Sequence, residues 1–269
     1  MTAMRPLAEF PVEARRALRY LLTDIDDTVT VDGTLPAASL AAMERLSAAG
    51  LRVIPVTGRP AGWCDHIARM WPVDAVVGEN GALYFAYDRK ARRMRQGFAK
   101  SREERAADRL RLDRLRDRIL AEVPGTAVAS DQDYRIADLA IDFCEDVEPL
   151  PLAEVERIVV LFEAAGATAK VSSIHVNGWF GRYDKLTMAR RCLAECFDLD
   201  MDRNKARIAY SGDSPNDQPM FAHFENSVGV ANVRDFPLTA PPTWVTENRA
   251  AAGFQELAEA ILAAQRTDA

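Results

Sequence analysis

The sequence predicts an α/β protein with a doubly wound parallel sheet and a smaller inserted α+β unit. Short apolar runs alternate with amphipathic stretches of helical length near both ends of the chain. This alternation is typical of a parallel sheet that carries helices on both faces. A segment in the middle of the chain breaks the pattern, and 269 residues exceed the usual length of one compact domain.

The first half of the alternation begins with the apolar run Tyr20–Thr23, whose length favours a strand. Leu35–Ala49 carries apolar residues at helical spacing and is followed by glycine, which predicts a helix with its C-cap. Leu51–Val56 is predicted as the next strand. Pro60–Trp71 is predicted as a helix with proline near its start. Two further strands are predicted at 74–77 and 82–85.

The middle segment differs in charge and in pattern. Residues 89–118 hold thirteen Lys or Arg against five Asp or Glu. The acids lie near arginines at helical spacing, which favours an exposed, salt-bridged helix face over a site for an anionic partner. Leu112, Leu115 and Ile119 form one apolar stripe, so the second half of the segment is predicted to be an amphipathic helix.

Beyond this helix, strands are predicted at Arg135–Cys144 and Ala169–Val176, with a helix at about Leu152–Ala165 between them. Alternation resumes at Asp184 with helices and strands that run to a closing helix at 253–264. We therefore predict a core formed by residues 1–86 and 183–269, and an inserted cap over residues 87–182.

Composition excludes several classes of function. The net charge is −6 and the sequence pI is near 5.3, so nucleic-acid binding is not expected. No apolar run approaches the roughly 18–20 residues that span a bilayer, and the first residues lack the apolar region of a signal peptide. We expect a cytoplasmic protein, a monomer or a homodimer, with no membrane partner. No pair of the four cysteines has C-x-x-C spacing, which favours buried thiols.

Two carboxylates stand two residues apart at the end of the first long strand. Asp24 is the candidate nucleophile, which would attack phosphorus and form an aspartyl-phosphate. Asp26 is the candidate general acid and base. A solvated acidic turn or a calcium loop is the alternative, but Thr28–Val31 follows where a calcium loop needs further oxygen ligands.

Thr57, Gly58 and Arg59 follow the next predicted strand. A hydroxyl and free backbone N–H groups at such a turn form a nest for phosphate oxygens, although an ordinary strand-to-helix turn has the same pattern. Arg59 either contacts the substrate or pairs on the surface. Lys185 opens a later helix, where its ammonium can neutralise both the nucleophile and the phosphate.

The segment Gly212–Asp217 follows another strand and holds two more acids. Asp213 is the candidate metal ligand, and Asp217 and Asn216 would hold that ligand or its waters. A helix N-cap explains the turn but not the two acids. Because parallel strands bring these carboxylates to one sheet edge, a cation is required, and hard oxygen ligands favour Mg²⁺.

The motifs in this order resemble the haloacid dehalogenase superfamily, in the type with an α/β cap between the second and third motifs. Gly78–Ala82 is similar to the Asn-Gly-Ala turn of its Cof-like branch, also called subfamily IIB. The resemblance covers the whole chain and implies a Rossmann-like core. It implies that Asp24 is the nucleophile and Asp26 the acid and base, and that Thr57 and Lys185 bind phosphate. It also implies a Mg²⁺ site formed by Asp24, the Asp26 carbonyl and Asp213, supported by Asp217.

The cap in such proteins selects the substrate. Strand alternation places His175, Asn177 and Trp179 on one face, where they would bind and stack against a sugar or serve only the cap structure. This stretch resembles the equivalent part of mannosyl-3-phosphoglycerate and sucrose phosphatases. The predicted substrate-binding residues are Gly58, Arg59, His175 and Asn177.

The predicted function is a Mg²⁺-dependent phosphatase, a phosphoric monoester hydrolase acting on a small phosphorylated metabolite. A sugar phosphate or a phospho-acid is the expected substrate. Two alternatives remain, which are a phosphotransferase or phosphomutase on the same scaffold and a non-catalytic binding protein. A Walker-type nucleotidase is not expected, since the chain has no G-x-x-x-x-G-K-[ST] motif.

Overall fold

The computed structural model describes residues 4–172 and 174–266, so the outermost residues of the predicted core unit lie outside the described part. The strands are β1 (Arg5–Pro6), β2 (Tyr20–Thr23), β3 (Arg52–Pro55), β4 (Val76–Gly78), β5 (Leu83–Asp88), β6 (Arg93–Phe98), β7 (Ala127–Val128), β8 (Leu139–Asp142), β9 (Thr168–Val171), β10 (His175–Trp179), β11 (Ile208–Gly212), β12 (Ser227–Gly229) and β13 (Trp244–Val245). The α-helices are α1 (Val12–Ala17), α2 (Ala37–Ala48), α3 (Ala61–Met70), α4 (Arg102–Glu122), α5 (Leu152–Ala164), α6 (Lys185–Phe197), α7 (Gln218–His223) and α8 (Ala250–Gln265).

Six parallel strands form the main sheet in the order β1-β13-β12-β11-β2-β3. Neighbouring residues of β2 face opposite sides, so Leu21 packs in one apolar cluster and Leu22 in another. The first cluster includes buried residues of α2, α3 and α8, and the second includes those of α6 and α7. Helices therefore cover both faces of a parallel sheet, which confirms the predicted fold class.

A three-stranded antiparallel sheet, β4-β5-β6, adjoins the main sheet. A parallel bridge between Val56 and Val77 links the two. The strand β6 lies past the first predicted domain boundary but pairs with β5, and its Phe98 packs against the first apolar cluster. The division at residues 86 and 183 stays a prediction.

The middle of the chain forms a second antiparallel sheet in the order β7-β8-β10-β9. Buried apolar residues of α4 and α5 pack against one face of it, where they meet Val176 of β10. His175 and Asn177 flank Val176 and point to the opposite face, which lies over the end of the main sheet. The predicted alternation in this strand is confirmed for these residues.

Two of the predicted cap strands are wrong in extent. The run 169–176 belongs to two strands, β9 and β10, which pair antiparallel, and between them the Ser172 Oγ accepts from the His175 N–H. Ser172 also donates its backbone N–H to the His175 carbonyl at 2.8 Å. Within the run 135–144 only β8 forms a strand, because the backbone N–H groups of residues 136–138 donate to the Glu79 carboxylate.

The basic segment forms β6 and most of α4, a longer helix than predicted. A capping box of Ser101 and Glu104 begins α4. Ion pairs cover its exposed side, including Arg111 with Asp108 and Arg118 with Glu122. None of the helices within residues 4–172 and 174–266 combines the length and apolar character that a bilayer span requires.

Candidate active site

Asp24 and Asp213 lie side by side because of the sheet topology. Asp24 follows β2 and Asp213 follows β11, and these strands are neighbours. From β2 the chain continues towards β3, and from β11 it continues towards β12 on the other side. Such a reversal of strand order opens a crevice at the carboxyl ends of the strands, where ligands bind in open α/β sheets.

Three carboxylates converge in this crevice. Ligand-capable oxygens of Asp24, Asp213 and Asp217 all lie within 4.8 Å of one another, and the three residues are buried. Burial, opposed by the Lys185 ammonium and reinforced by Asp217, raises the pKa of Asp24 from 3.8 to about 7. Burial, reinforced by the other two carboxylates, also raises the pKa of Asp213 well above 3.8.

Lys185 supplies the positive charge in this group. Its Nζ lies 2.8 Å from Asp24 Oδ1 and 2.9 Å from Asp217 Oδ1. Burial lowers its pKa, but the two carboxylates outweigh burial, so the pKa of Lys185 is raised above 10.5. Lys185 is fixed at the first position of α6 by the N-cap Asp184, whose side chain accepts from the Thr187 N–H at 2.7 Å.

A glycine turn holds the start of α6 in place. At Gly81 the backbone has φ +104°, and an added Cβ would lie 2.0 Å from the Asp184 carbonyl oxygen. Only glycine fits both the positive φ and the close approach. The turn that resembles the Cof-like branch therefore packs directly against the residue that caps the Lys185 helix.

Asp217 has all its acceptor positions occupied by protein groups. Its Oδ1 accepts from Lys185 Nζ and from the Tyr210 hydroxyl at 2.5 Å, and its Oδ2 accepts from the N–H groups of Asp213 and Ser214. Gly212 permits this arrangement, since an added Cβ would lie 2.4 Å from Asp217 Oδ2. These contacts favour Asp217 as a support for Asp213 and Lys185 rather than as a direct metal ligand.

The donor set fits a hard divalent cation. Asp213 is buried among acids, and its side chain accepts only from the Thr28 hydroxyl, at 3.5 Å, among the hydrogen bonds of the described residues. A buried carboxylate with so little compensation needs a cation, and carboxylate oxygens are the ligands Mg²⁺ prefers. Asp24 and Asp213 are the side chains placed to hold it. The carboxylate of Asp26 does not belong to this group of acids. The backbone carbonyl of Asp26, which the resemblance implies as a metal ligand, stays a prediction.

Asp26 forms a bidentate ion pair with Arg59. The guanidinium Nη2 and Nε lie 2.8 and 3.0 Å from Asp26 Oδ1. Arg59 is buried and also lies within 4 Å of Asp131 and Glu145 of the inserted segment. Of the two roles predicted for Arg59, substrate contact and pairing on the surface, the structure shows an ion pair. This pair is buried rather than on the surface, and Arg59 connects the core to the insert.

Thr57 and Gly58 lie next to this pair. Thr57 is fully buried and its hydroxyl oxygen accepts from the Arg59 N–H at 3.0 Å. Gly58 lines a narrow cavity with Asp24, Asp26 and Asp213. The predicted phosphate nest therefore adjoins the acidic group.

Part of the chain is similar to a known protein family. Residues 21–120 match the family described as haloacid dehalogenase-like hydrolase, and this range includes Asp24, Asp26 and Thr57. This part of the chain is similar to that family. The match confirms the predicted resemblance and, with it, the prediction of an enzyme of the hydrolase class.

Solved structures extend the likeness in fold over most of the chain. A Thermoplasma acidophilum protein superposes with a TM-score of 0.69 at 16% identity, covering 91% of this chain and 98% of that one. The C-terminal domain of a trehalose-6-phosphate phosphatase from C. albicans gives 0.70 at 13%, covering 97% and 99%. The sucrose-phosphatase of Synechocystis, with sucrose and phosphate, gives 0.62 at 15%, covering 91% and 98%. At these identities the likeness concerns the fold. No curated protein matches the sequence.

The inserted segment closes the cavity from above. His175 and Asn177 line it together with Arg135, which the sequence analysis did not single out. Arg135 donates to the Gly58 carbonyl at 3.0 Å and pairs with Asp131 and Asp138. The cavity between insert and core has a volume of about 30 Å³.

His175 and Asn177 each lie beside an acid of the insert. Asn177 Nδ2 donates to Asp138 Oδ2 at 3.1 Å, and His175 Nε2 lies 2.8 Å from Glu145 Oε2. Burial, with a contribution from Arg135, lowers the pKa of His175 from 6.5 to about 4. Trp179, predicted on the same face, is buried and stacks on Tyr183 with ring centroids 5.6 Å apart, so it does not line the cavity.

Glu79 is a further residue that the sequence analysis did not assign. Its carboxylate is fully buried and accepts four backbone N–H groups, from Ala61 of α3 and from residues 136–138 of the insert. This carboxylate fastens the insert to the core and keeps residues 136–138 out of β8. Its position in the turn before Gly81 was the sequence feature that could have indicated this role.

Proposed function

We propose that the protein is a Mg²⁺-dependent phosphatase that hydrolyses a small phosphorylated metabolite through an aspartyl-phosphate on Asp24. The observation that carries the proposal is the convergence of Asp24, Asp213 and Asp217 within 4.8 Å, with Lys185 Nζ at 2.8 Å from Asp24. A nucleophilic carboxylate, a metal-ligating carboxylate and an ammonium are the groups that phosphoryl transfer requires.

The first step forms a bond between an Asp24 oxygen and phosphorus and breaks the bond from phosphorus to the leaving oxygen. Asp26 donates a proton to that oxygen. Lys185 keeps Asp24 charged and oriented, and Asp217 keeps Lys185 in place. When bound, Mg²⁺ neutralises phosphate and carboxylate charge at Asp24 and Asp213.

The second step returns Asp24 to its carboxylate. Water attacks phosphorus, Asp26 takes a proton from the water, and the bond from phosphorus to Asp24 breaks. Arg59 donates to both oxygens of Asp26 in the structure. Proton donation in the first step therefore requires Asp26 to turn from Arg59 towards the leaving oxygen.

Phosphate is proposed to bind at the Thr57–Gly58 turn, beside Lys185. The residues of the insert that line the cavity at this turn include Arg135, His175 and Asn177, and we propose that they contact the phosphate-bearing end of the substrate. Neighbours in fold include a sucrose-phosphatase and a trehalose-6-phosphate phosphatase, which supports a sugar phosphate as substrate. The cytoplasmic location and the monomeric or dimeric state stay predictions.

The test is phosphate release from an aryl phosphate and from a panel of sugar phosphates and phospho-acids, with and without Mg²⁺. We expect release that needs Mg²⁺ and that Asp24→Asn abolishes. The matched control is Asp32→Asn, an exposed acid outside the crevice, which keeps activity. Release only in the presence of an acceptor alcohol would identify a phosphotransferase instead.

A second measurement tests the role of Asp26. In Asp26→Ala we expect slow formation and long persistence of a phosphorylated Asp24, since the attacking water has no base. Intact-protein mass spectrometry after rapid quenching measures the phosphorylated fraction. Turnover at the wild-type rate in this variant would contradict the assignment.

A further inference from the structure

A large second pocket lies next to the catalytic crevice. It has a volume of about 550 Å³, within the roughly 300–1,000 Å³ of small-molecule sites. Asp26 and Arg59 line both this pocket and the narrow cavity above Asp24. The proposed general acid therefore stands at the border between the two spaces.

Aromatic side chains form the walls of the second pocket. Trp63 of α3 is 41% exposed and Tyr134 of the insert is 58% exposed, so both rings are accessible to a ligand in the pocket. Tyr134 approaches α3 so closely that a Cβ on Gly62 would lie 2.9 Å from its Cβ. The pocket is thus formed jointly by the core helix and the insert, and Ile67 and Trp71 close its base.

The two spaces differ in the group each can hold. The cavity above Asp24, at about 30 Å³, leaves no room for a sugar or an aryl group beside a phosphate. The leaving oxygen of an ester on Asp24 must be within reach of Asp26 to receive its proton. A leaving group bonded to that oxygen has the space beyond Asp26 and Arg59 available to it, which is the second pocket.

The charge of the pocket argues against an anionic leaving group. Arg59 already forms a bidentate pair with Asp26 and lies within 4 Å of Asp131 and Glu145. A carboxylate on the leaving group would lie next to the Asp26 carboxylate. The Arg59 guanidinium is already paired with acids, so it would not compensate the added negative charge. Flat aromatic faces instead favour a ring with an apolar face, whether aryl or pyranose.

We propose that the Trp63–Tyr134 pocket binds the leaving group, and that it selects phosphate monoesters of neutral rings over phospho-acids. This proposal rests on the proposed function for the place of the phosphate. It assigns substrate discrimination to residues of α3 and to one residue of the insert, rather than to His175 and Asn177 alone.

The test uses three phosphonates, which are not hydrolysed and differ only in one substituent: methylphosphonate, phenylphosphonate and phosphonoacetate. Titration calorimetry with Mg²⁺ gives their dissociation constants for the wild type, Trp63→Ala, Tyr134→Ala and the control Met70→Ala. Met70 is an exposed residue of α3 outside the pocket. Tyr134→Ala is the cleaner variant, since the Trp63 ring also lies 4.6 Å from the Arg59 guanidinium.

We expect the wild type to bind phenylphosphonate about three- to tenfold more tightly than methylphosphonate, and phosphonoacetate no more tightly than methylphosphonate. Trp63→Ala and Tyr134→Ala should remove the advantage of the ring, and Met70→Ala should keep it. The proposal is overturned if the ring gives no advantage, if the advantage survives both aromatic replacements, if phosphonoacetate binds best, or if none of the three binds.

Hydrolysis of glucose 6-phosphate and phenyl phosphate, measured in parallel, separates this proposal from the proposed function. Hydrolysis without an advantage for the ring overturns the pocket and leaves the phosphatase intact. A ring advantage that depends on Trp63 and Tyr134, without hydrolysis of any ester, supports the pocket and overturns the phosphatase.

Discussion

The ammonium of Lys185 lies 2.8 Å from Oδ1 of Asp24, in a site where both side chains are almost fully buried. Neither charge would be tolerated there alone, because desolvation of an unpaired ion costs several kcal/mol. The pair therefore links stability to the proposed role of Asp24, since the ammonium that pairs with Asp24 also compensates Asp217.

Replacing Lys185 tests this link. In Lys185→Met, Asp24 and Asp217 lose their shared cation, so we expect the free energy of unfolding to fall by about 3–5 kcal/mol without divalent ions. Phosphate release should fall at least about a hundredfold. Urea denaturation with a chelator measures the first effect. Lys170→Met, an exposed lysine of β9, is the control and should change neither quantity.

Asp217→Asn is expected to weaken the site without removing a catalytic group. Each oxygen of Asp217 accepts two donors, so an amide would turn its NH₂ towards one donor pair. We expect a loss of about 2–3 kcal/mol in the free energy of unfolding and a lower kcat. The exposed Asp133→Asn is the matched control. Unchanged stability and kcat in Asp217→Asn would show that this hydrogen-bond network does not hold the site.

The sequence predicted where the candidate catalytic groups lie because their placement follows from local rules. Asp24 and Asp213 each end a strand, and parallel strands bring their carboxyl ends to one edge. Lys185 was predictable for the same reason, as the first residue of a helix that returns to this edge. These positions depend on strand and helix limits, which apolar patterns indicate well.

Other features depend on contacts between distant segments, which no local pattern encodes. The pairing of Asp26 with Arg59 joins residues 33 positions apart, and the position of Tyr134 over Gly62 joins insert and core. The break between β9 and β10 was missed because Ser172 and Ile174, the described residues between the two strands, are neither glycine, proline nor asparagine, and the hydrogen bond from the His175 N–H to the Ser172 hydroxyl leaves no local pattern.

Glu79→Gln tests how the insert is fastened to the core. The Glu79 carboxylate accepts N–H groups at both oxygens, and glutamine would oppose two of them with its own NH₂. At pH 8 we expect a loss of about 2–3 kcal/mol in unfolding free energy and faster amide hydrogen exchange at Ile136 and Ala137. Exchange is the deciding measurement, since a general loss of stability without faster local exchange would contradict the fastening role. Glu44→Gln, on the exposed side of α2, is the control.

His175 predicts a pH dependence of stability. Burial and Arg135 lower its pKa in the folded protein to about 4, against 6.5 in the unfolded chain. Below pH 6.5 the unfolded chain therefore binds a proton that the folded protein does not. The contribution of His175 is complete above pH 6.5 and is lost as the pH falls towards 4, by about 2–3 kcal/mol at pH 4.5.

Since carboxylates also titrate in this range, the measurement compares the wild type with His175→Gln by urea denaturation at pH 7 and pH 4.5. The variant should lose about 2–3 kcal/mol less than the wild type between the two pH values. The exposed His66→Gln serves as the matched control. Equal losses in the wild type and His175→Gln would mean that His175 takes up its proton in the folded protein as readily as in the unfolded chain. A pKa of His175 that burial and Arg135 hold well below 6.5 in the folded protein would then be ruled out.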